Sequence, residues 1–119
     1  MVAHPTLGVL VYGERNVDGA PYNEWKFHSY GQVPRGEAII YRFDYSAFTG
    51  SNPPTEADAT WTYVNTGYIG CRAGQFRPGT VPEVHAALAA AAVVVLNAAT
   101  GAVLRGPVSY THLTLPTKA

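Results

Sequence analysis

The chain has 119 residues, of which 47% are hydrophobic and 13% charged, and its eight basic and eight acidic residues leave no net charge. This length suits a single domain, and the balanced charge excludes the basic surface with which proteins bind nucleic acid or an anionic membrane. One cysteine excludes an internal disulfide and a cysteine-rich zinc site.

The first half of the chain predicts antiparallel strands. Residues 7–13 (LGVLVYG) are apolar on both faces, which is typical of a strand buried inside a sheet. Residues 24–30 and 37–45 each alternate apolar and polar side chains, the period of a half-buried strand. Residues 33–36 (VPRG) carry a type I turn signal, so we expect these two segments to form a hairpin.

The middle of the chain reads as a loop followed by a second hairpin. Residues 46–58 form the loop, because Asn52-Pro53-Pro54 cannot continue a strand. Residues 59–64 and 68–72 are then predicted to pair around the turn residues Asn65-Thr66-Gly67.

A predicted helix follows. Thr80 and Glu83 have the spacing of a capping box, Pro82 lies where a first helical turn tolerates proline, and residues 84–92 are almost all Ala or Leu. We therefore expect an α+β fold, mainly an antiparallel sheet of roughly five to seven short strands with one Ala-rich helix packed on it.

The apolar run continues as a predicted hairpin. Residues 93–95 are all valine and favour an extended chain. Residues 97–101 (NAATG) supply turn chemistry, since Gly101 is free to adopt a positive φ, and residues 102–105 return as a second strand.

The last twelve residues, 108–119 (VSYTHLTLPTKA), differ in character from the rest. They closely resemble a peptide that recurs at the ends of unrelated metagenomic open reading frames, where a sequencing-adapter read has been translated. The resemblance implies a non-native tail on a single β-rich domain, residues 1–107, that is truncated at its C-terminus. The alternative is a genuine terminal strand, because Val108, Tyr110 and His112 alternate.

The sequence also predicts where the protein is located. Residues 1–15 lack the basic n-region of a signal peptide, and the apolar run at residues 86–96 is shorter than the roughly 20 residues that span a bilayer. We therefore expect a soluble protein of the cytoplasm or of a virion, with no membrane partner.

No residues form a complete catalytic or metal-binding motif. The four histidines show neither HxH nor HxxxH spacing, so no metal and no cofactor are expected. His28, Asp44 and Glu56 are the catalytic candidates, since His28 lies on the polar face of a predicted strand and the two acids lie in or beside the loop. Each also has a simpler interpretation as a solvated side chain. Cys71 is predicted to be a small buried or edge thiol, although the neighbouring Arg72 can lower a thiol pKa.

Aromatic residues are the remaining signal. Strands rich in Tyr and Trp can present flat apolar faces with polar rims, which suit sugar rings or a partner protein. Tyr30, Tyr41, Trp61 and Tyr63 are the predicted ligand-binding residues because each lies in a strand near a turn. The simpler interpretation places these rings in the core.

These observations leave three functions open. The first is a non-catalytic binding or structural module of a phage or surface type, with a carbohydrate or another protein as its partner. The second is an N-terminal fragment of an enzyme whose catalytic residues lie beyond residue 107, and the third is a truncated ligand-sensing module. An exposed aromatic sheet face would favour binding, whereas a cleft joining His28, an acid and Cys71 would favour the enzyme.

Overall fold

A computed structural model describes residues 1–16, 36–89 and 91–109 of the chain. This part contains eight strands and two short 3-10 helices, and no α-helix. The strands are β1 (Val2–His4), β2 (Gly8–Asn16), β3 (Gly36–Phe43), β4 (Trp61–Asn65), β5 (Cys71–Arg77), β6 (Glu83–Leu88), β7 (Ala92–Asn97) and β8 (Val103–Ser109). The 3-10 helices, Tyr45–Phe48 and Glu56–Asp58, lie between β3 and β4.

The strands form two antiparallel sheets that follow the chain order. Sheet A consists of β1, β2, β3 and β4, and sheet B consists of β5, β6, β7 and β8. Among the described residues, each strand pairs only with strands adjacent to it in sequence, so both sheets are meanders. The expected α+β class with an Ala-rich helix is therefore wrong: the regular structure of the described chain is β-sheet.

The segment predicted as a helix is strand β6. Every second side chain of β6 is buried in the core, namely Val84, Ala86 and Leu88. Alanine favours helices, but this period of two places one apolar face on the core, and pairing with both β5 and β7 supplies the backbone hydrogen bonds. The predicted capping box does not form, because Glu83 begins β6.

The predicted hairpin that follows is present as β7 and β8. The Oδ1 atom of Asn97 accepts hydrogen bonds from the backbone N–H groups of Ala99 and Thr100 at 2.8 and 3.2 Å. Gly101 adopts a φ of +78° and donates its N–H to the carbonyl of Asn97 at 2.7 Å. The local turn chemistry therefore forms as the sequence indicates.

The hairpin predicted for residues 59–64 and 68–72 does not form. β4 pairs with β3 and β5 pairs with β6, so residues 66–70 connect sheet A to sheet B. For the hairpin predicted between residues 24–30 and 37–45, the first segment lies outside the described residues, and β3 pairs with β2 and β4.

One hydrophobic core joins the two sheets. It contains side chains from both, including the fully buried Leu10 and Ile40 of sheet A and Val84, Val94 and Leu96 of sheet B. We call the faces that line this core the inner faces and the opposite faces the outer faces.

The outer face of sheet A is also covered. Ile39, Tyr41 and Phe43 of β3 form a second buried cluster there, against which Ala47 and Ala59 pack. These two alanines belong to residues 44–60, which we call the strap. With apolar contacts on both faces, sheet A has the buried character that residues 7–13 predict.

Hydrogen bonds and an ion pair tie the strap to sheet A. Asp44 pairs with Arg42 at 2.9 Å, and the hydroxyl of Tyr45 donates to the carbonyl of His4 at 2.7 Å. The backbone N–H of Thr60 donates to the carbonyl of Arg42 at 2.7 Å. None of the described residues belongs to a helix long and apolar enough to cross a bilayer.

Candidate functional site

The outer face of sheet B is the more accessible of the two outer faces. Its side chains alternate with the buried core positions and are half-buried or exposed, except for Val95. They include Ala73 and Gln75 of β5, Glu83, His85 and Ala87 of β6, Val93 of β7, and Arg105 of β8. This face can therefore contact a partner without rearrangement of the core.

An open recess of about 210 Å³ lies on this face. Strand register places Ala73 beside Ala87, and Gln75 beside His85. The small alanine side chains leave open space on this face of the sheet. The longer side chains of Gln75 and His85 lie at the next outward-facing position of each strand. We call this feature the sheet B recess; its lining residues are Ala73, Gly74, Gln75, His85, Ala86, Ala87 and Val93.

An ionic network fixes one side of the recess. Oε1 of Glu83 lies 2.8 Å from Nε2 of His85 and 3.2 Å from Nη2 of Arg105. The hydrogen bond from His85, followed by that from Arg105, lowers the pKa of the Glu83 carboxyl. Glu83 is therefore ionised at neutral pH and orients the imidazole through Nε2.

The recess combines an apolar floor with polar groups at its edge. The amide of Gln75 can donate and accept hydrogen bonds, and the imidazole of His85 has Nδ1 as its second polar atom. The methyl groups of Ala73 and Ala87 form the apolar surface that a ligand in the recess would contact. These groups can bind a ligand.

The predicted aromatic ligand-binding residues lie elsewhere. Tyr41, Trp61 and Tyr63 are 1%, 8% and 9% exposed, and Tyr30 lies outside the described residues. Trp61 and Tyr63 belong to the core between the sheets, whereas Tyr41 belongs to the cluster beneath the strap. These three rings form no exposed face, and their role as ligand contacts stays a prediction.

The two described catalytic candidates, Asp44 and Glu56, are not brought together. Asp44 pairs with Arg42, whereas Glu56 pairs with Arg15 at 3.3 Å, and His28 lies outside the described residues. The two acids thus bind different arginines at opposite ends of the strap.

Cys71 is a buried thiol, as the sequence predicts. Burial raises its pKa to about 12, and its sulfur donates to the carbonyl of Ala73 at 3.4 Å. Arg72 is exposed while Cys71 is buried, so the cation does not offset the cost of ionising the thiol.

The sequence alone does not predict the recess, because the recess forms only if residues 83–88 are a strand. In a helix, Glu83 and His85 would face different directions, whereas residues two apart in a strand share a face. The Glu-x-His spacing at residues 83–85 is the available sequence signal for this site. It indicates that the two side chains share a face only if residues 83–88 are extended.

No family model, curated protein or solved structure matches the chain. Among the described side chains, no group of three or more His, Cys, Asp or Glu residues is placed to hold a metal ion. The candidate site is therefore defined by the geometry of sheet B.

Proposed function

We propose that this chain is a non-catalytic binding module and that its partner, another protein, contacts the sheet B recess. The observation that supports the proposal is the ionic contact of Glu83 with His85 and Arg105 beside an accessible alanine floor. A side chain held in place before binding loses less conformational entropy when a partner arrives.

A protein partner fits the recess better than a carbohydrate does. Sugar rings are usually bound by stacking on exposed aromatic side chains, and the three described rings that suggested such a site are buried. The outer face of sheet B instead offers small apolar groups, an amide and charged groups, which suit a protein surface.

The proposal also covers the classes of partner that the chain does not bind, and its location. Zero net charge supports a partner that is neither nucleic acid nor an anionic membrane. We also propose a location in the cytoplasm or in a virion. A structural role in a phage or surface assembly would use the same contact surface.

Selection from a random peptide library displayed on phage, with the full chain immobilised, tests the proposal. We expect enriched peptides whose affinity falls about tenfold or more in H85A, because His85 lies at the edge of the recess. T62A is the matched control, since Thr62 is an exposed strand residue of sheet A.

Two results would contradict this assignment. The first is equal loss of affinity in H85A and T62A, which would place the peptides elsewhere. The second is failure to enrich any peptide while the chain binds sugars on a glycan array, which would support the carbohydrate alternative.

A further inference from the structure

Four polar side chains meet where the strap crosses sheet A. They are Arg15 of β2, Glu37 and Tyr41 of β3, and Glu56 of the strap. This cluster lies on the outer face of sheet A and is separate from the sheet B recess.

Arg15 and Glu37 form the fixed part of the cluster. The two residues are directly paired in the register of β2 and β3. Nε of Arg15 donates to Oε1 of Glu37 at 2.7 Å, and the side chains are 16% and 5% exposed. A short, largely buried ion pair between adjacent strands holds the guanidinium in one orientation.

Glu56 is the part that the strap contributes. Its Oε1 lies 3.3 Å from Nη1 of Arg15, and its side chain is 44% exposed. Burial, followed by the charge and hydrogen bond of Glu56, raises the pKa of Tyr41 to about 12. The Tyr41 hydroxyl therefore keeps its proton at neutral pH and can donate it in the hydrogen bond with Glu56.

We propose that Arg15 and Tyr41 form a carboxylate-binding site, that Glu56 occupies it from within the chain, and that a carboxylate ligand replaces Glu56 and releases this part of the strap. A guanidinium N–H and a phenol O–H converge on one carboxylate in this cluster. Such a pair of donors, one of them charged, is typical of sites that recognise a carboxylate.

The attachment of Glu56 is suited to exchange. It belongs to a 3-10 helix of three residues, Glu56–Asp58, none of which is buried. Glu37 already balances the charge of Arg15, so the departure of Glu56 leaves no uncompensated guanidinium. By contrast, removal of Glu37 would leave a largely buried cation with only the half-exposed acid.

Titration with sodium acetate, followed by the NMR signal of the Arg15 Nε–H group in the full chain, tests the site. In E56A the internal carboxylate is gone, and we expect acetate to bind about tenfold more tightly than in the unmodified chain. That factor corresponds to an open strap in about a tenth of the molecules. D44A is the matched control, because Asp44 is a strap acid that pairs with Arg42 instead.

A double variant tests whether the tighter acetate binding of E56A involves the hydroxyl of Tyr41. Y41F/E56A retains the ring of Tyr41 and loses its hydroxyl, so we expect acetate affinity to fall severalfold from that of E56A. Equal acetate affinity in E56A, D44A and the unmodified chain would overturn the proposal. So would equal affinity in E56A and Y41F/E56A.

Two peptides distinguish the source of the carboxylate. Tetraglycine with a free C-terminus and its C-terminal amide are titrated into E56A. Binding of the free acid alone identifies a peptide terminus as a suitable ligand, and binding of acetate but neither peptide restricts the site to small carboxylates. Equal binding of the two peptides would show that the carboxylate is not recognised and would overturn the proposal.

Discussion

Gly101 lies directly against the indole ring of Trp61. A Cβ atom at Gly101 would stand 2.7 Å from Cδ2 of the ring, closer than atoms in contact approach. The indole Nε1–H also donates to the carbonyl of Ala98 at 2.8 Å. Because Trp61 begins β4 and the other two residues belong to the β7–β8 turn, this contact joins sheet A to sheet B.

Replacing Gly101 by alanine is expected to destabilise the fold. The φ of +78° is unfavourable for alanine, and the new methyl group would clash with Trp61. Together these effects should lower the free energy of unfolding by about 3 kcal/mol, measured by urea denaturation. G50A is the matched control, since no atom lies within 4 Å of a Cβ built there, and it should change stability by less than about 0.5 kcal/mol. Equal effects of the two substitutions would contradict the contact described above.

The turn at residues 97–101 could be predicted because its determinants are local. Asn97 bonds to residues two and three positions away, and Gly101 supplies the positive φ. The pairing partners of β4 and of β5 could not be predicted in this way. Whether Asn65-Thr66-Gly67 joins two paired strands or two sheets depends on β3 and β6, which lie far away in sequence.

Two adjacent alanines test the strand assignment of β6. Ala86 is 2% exposed and faces the core, whereas Ala87 is half-buried on the outer face. A86K should abolish cooperative folding or cost about 4 kcal/mol, because it buries a charge without a partner. A87K should retain the circular dichroism spectrum and thermal unfolding transition of the parent chain. Similar tolerance of both lysines would contradict the strand.

The error over β6 has a physical cause. An Ala-rich segment has a high helix propensity, yet residues 83–86 also alternate polar and apolar side chains. The choice is made by β5 and β7, which pair with both edges of the segment. The candidate site also depends on this strand pairing, because it places Glu83 and His85 on one face and Gln75 beside His85.

The Glu83 network predicts a pH dependence at the recess. Hydrogen bonds from His85 and Arg105 lower the carboxyl pKa from 4.5, so their stabilising contribution is present above that pH and lost as the pH falls through the folded-state value. A ¹³C NMR titration of the Glu83 carboxyl should therefore give a midpoint below 4.5. H85A should raise the midpoint more than R105A does, because the His85 hydrogen bond is the larger cause. T62A should leave it unchanged, and a midpoint insensitive to H85A would show that the network does not form in solution.

Cys71 and Tyr41 predict loss of stability at alkaline pH. Burial raises the thiol pKa from 9.0 to about 12, and burial with the contacts of Glu56 raises the phenol pKa from 10.0 to about 12. At a pH above the unfolded-chain pKa of each group and below its folded-chain pKa, the unfolded chain loses the proton and the folded chain retains it. The free energy of unfolding therefore falls as the pH rises from about 9 to 12. Urea denaturation at pH 8, 9.5 and 10.5 should show this fall, with a contribution from Cys71 of at most about 4 kcal/mol across the whole range. C71A changes packing equally at every pH but removes the thiol titration, so it should reduce the slope of stability against pH. An unchanged slope in both C71A and Y41F would show that neither group is protected from ionisation by the fold.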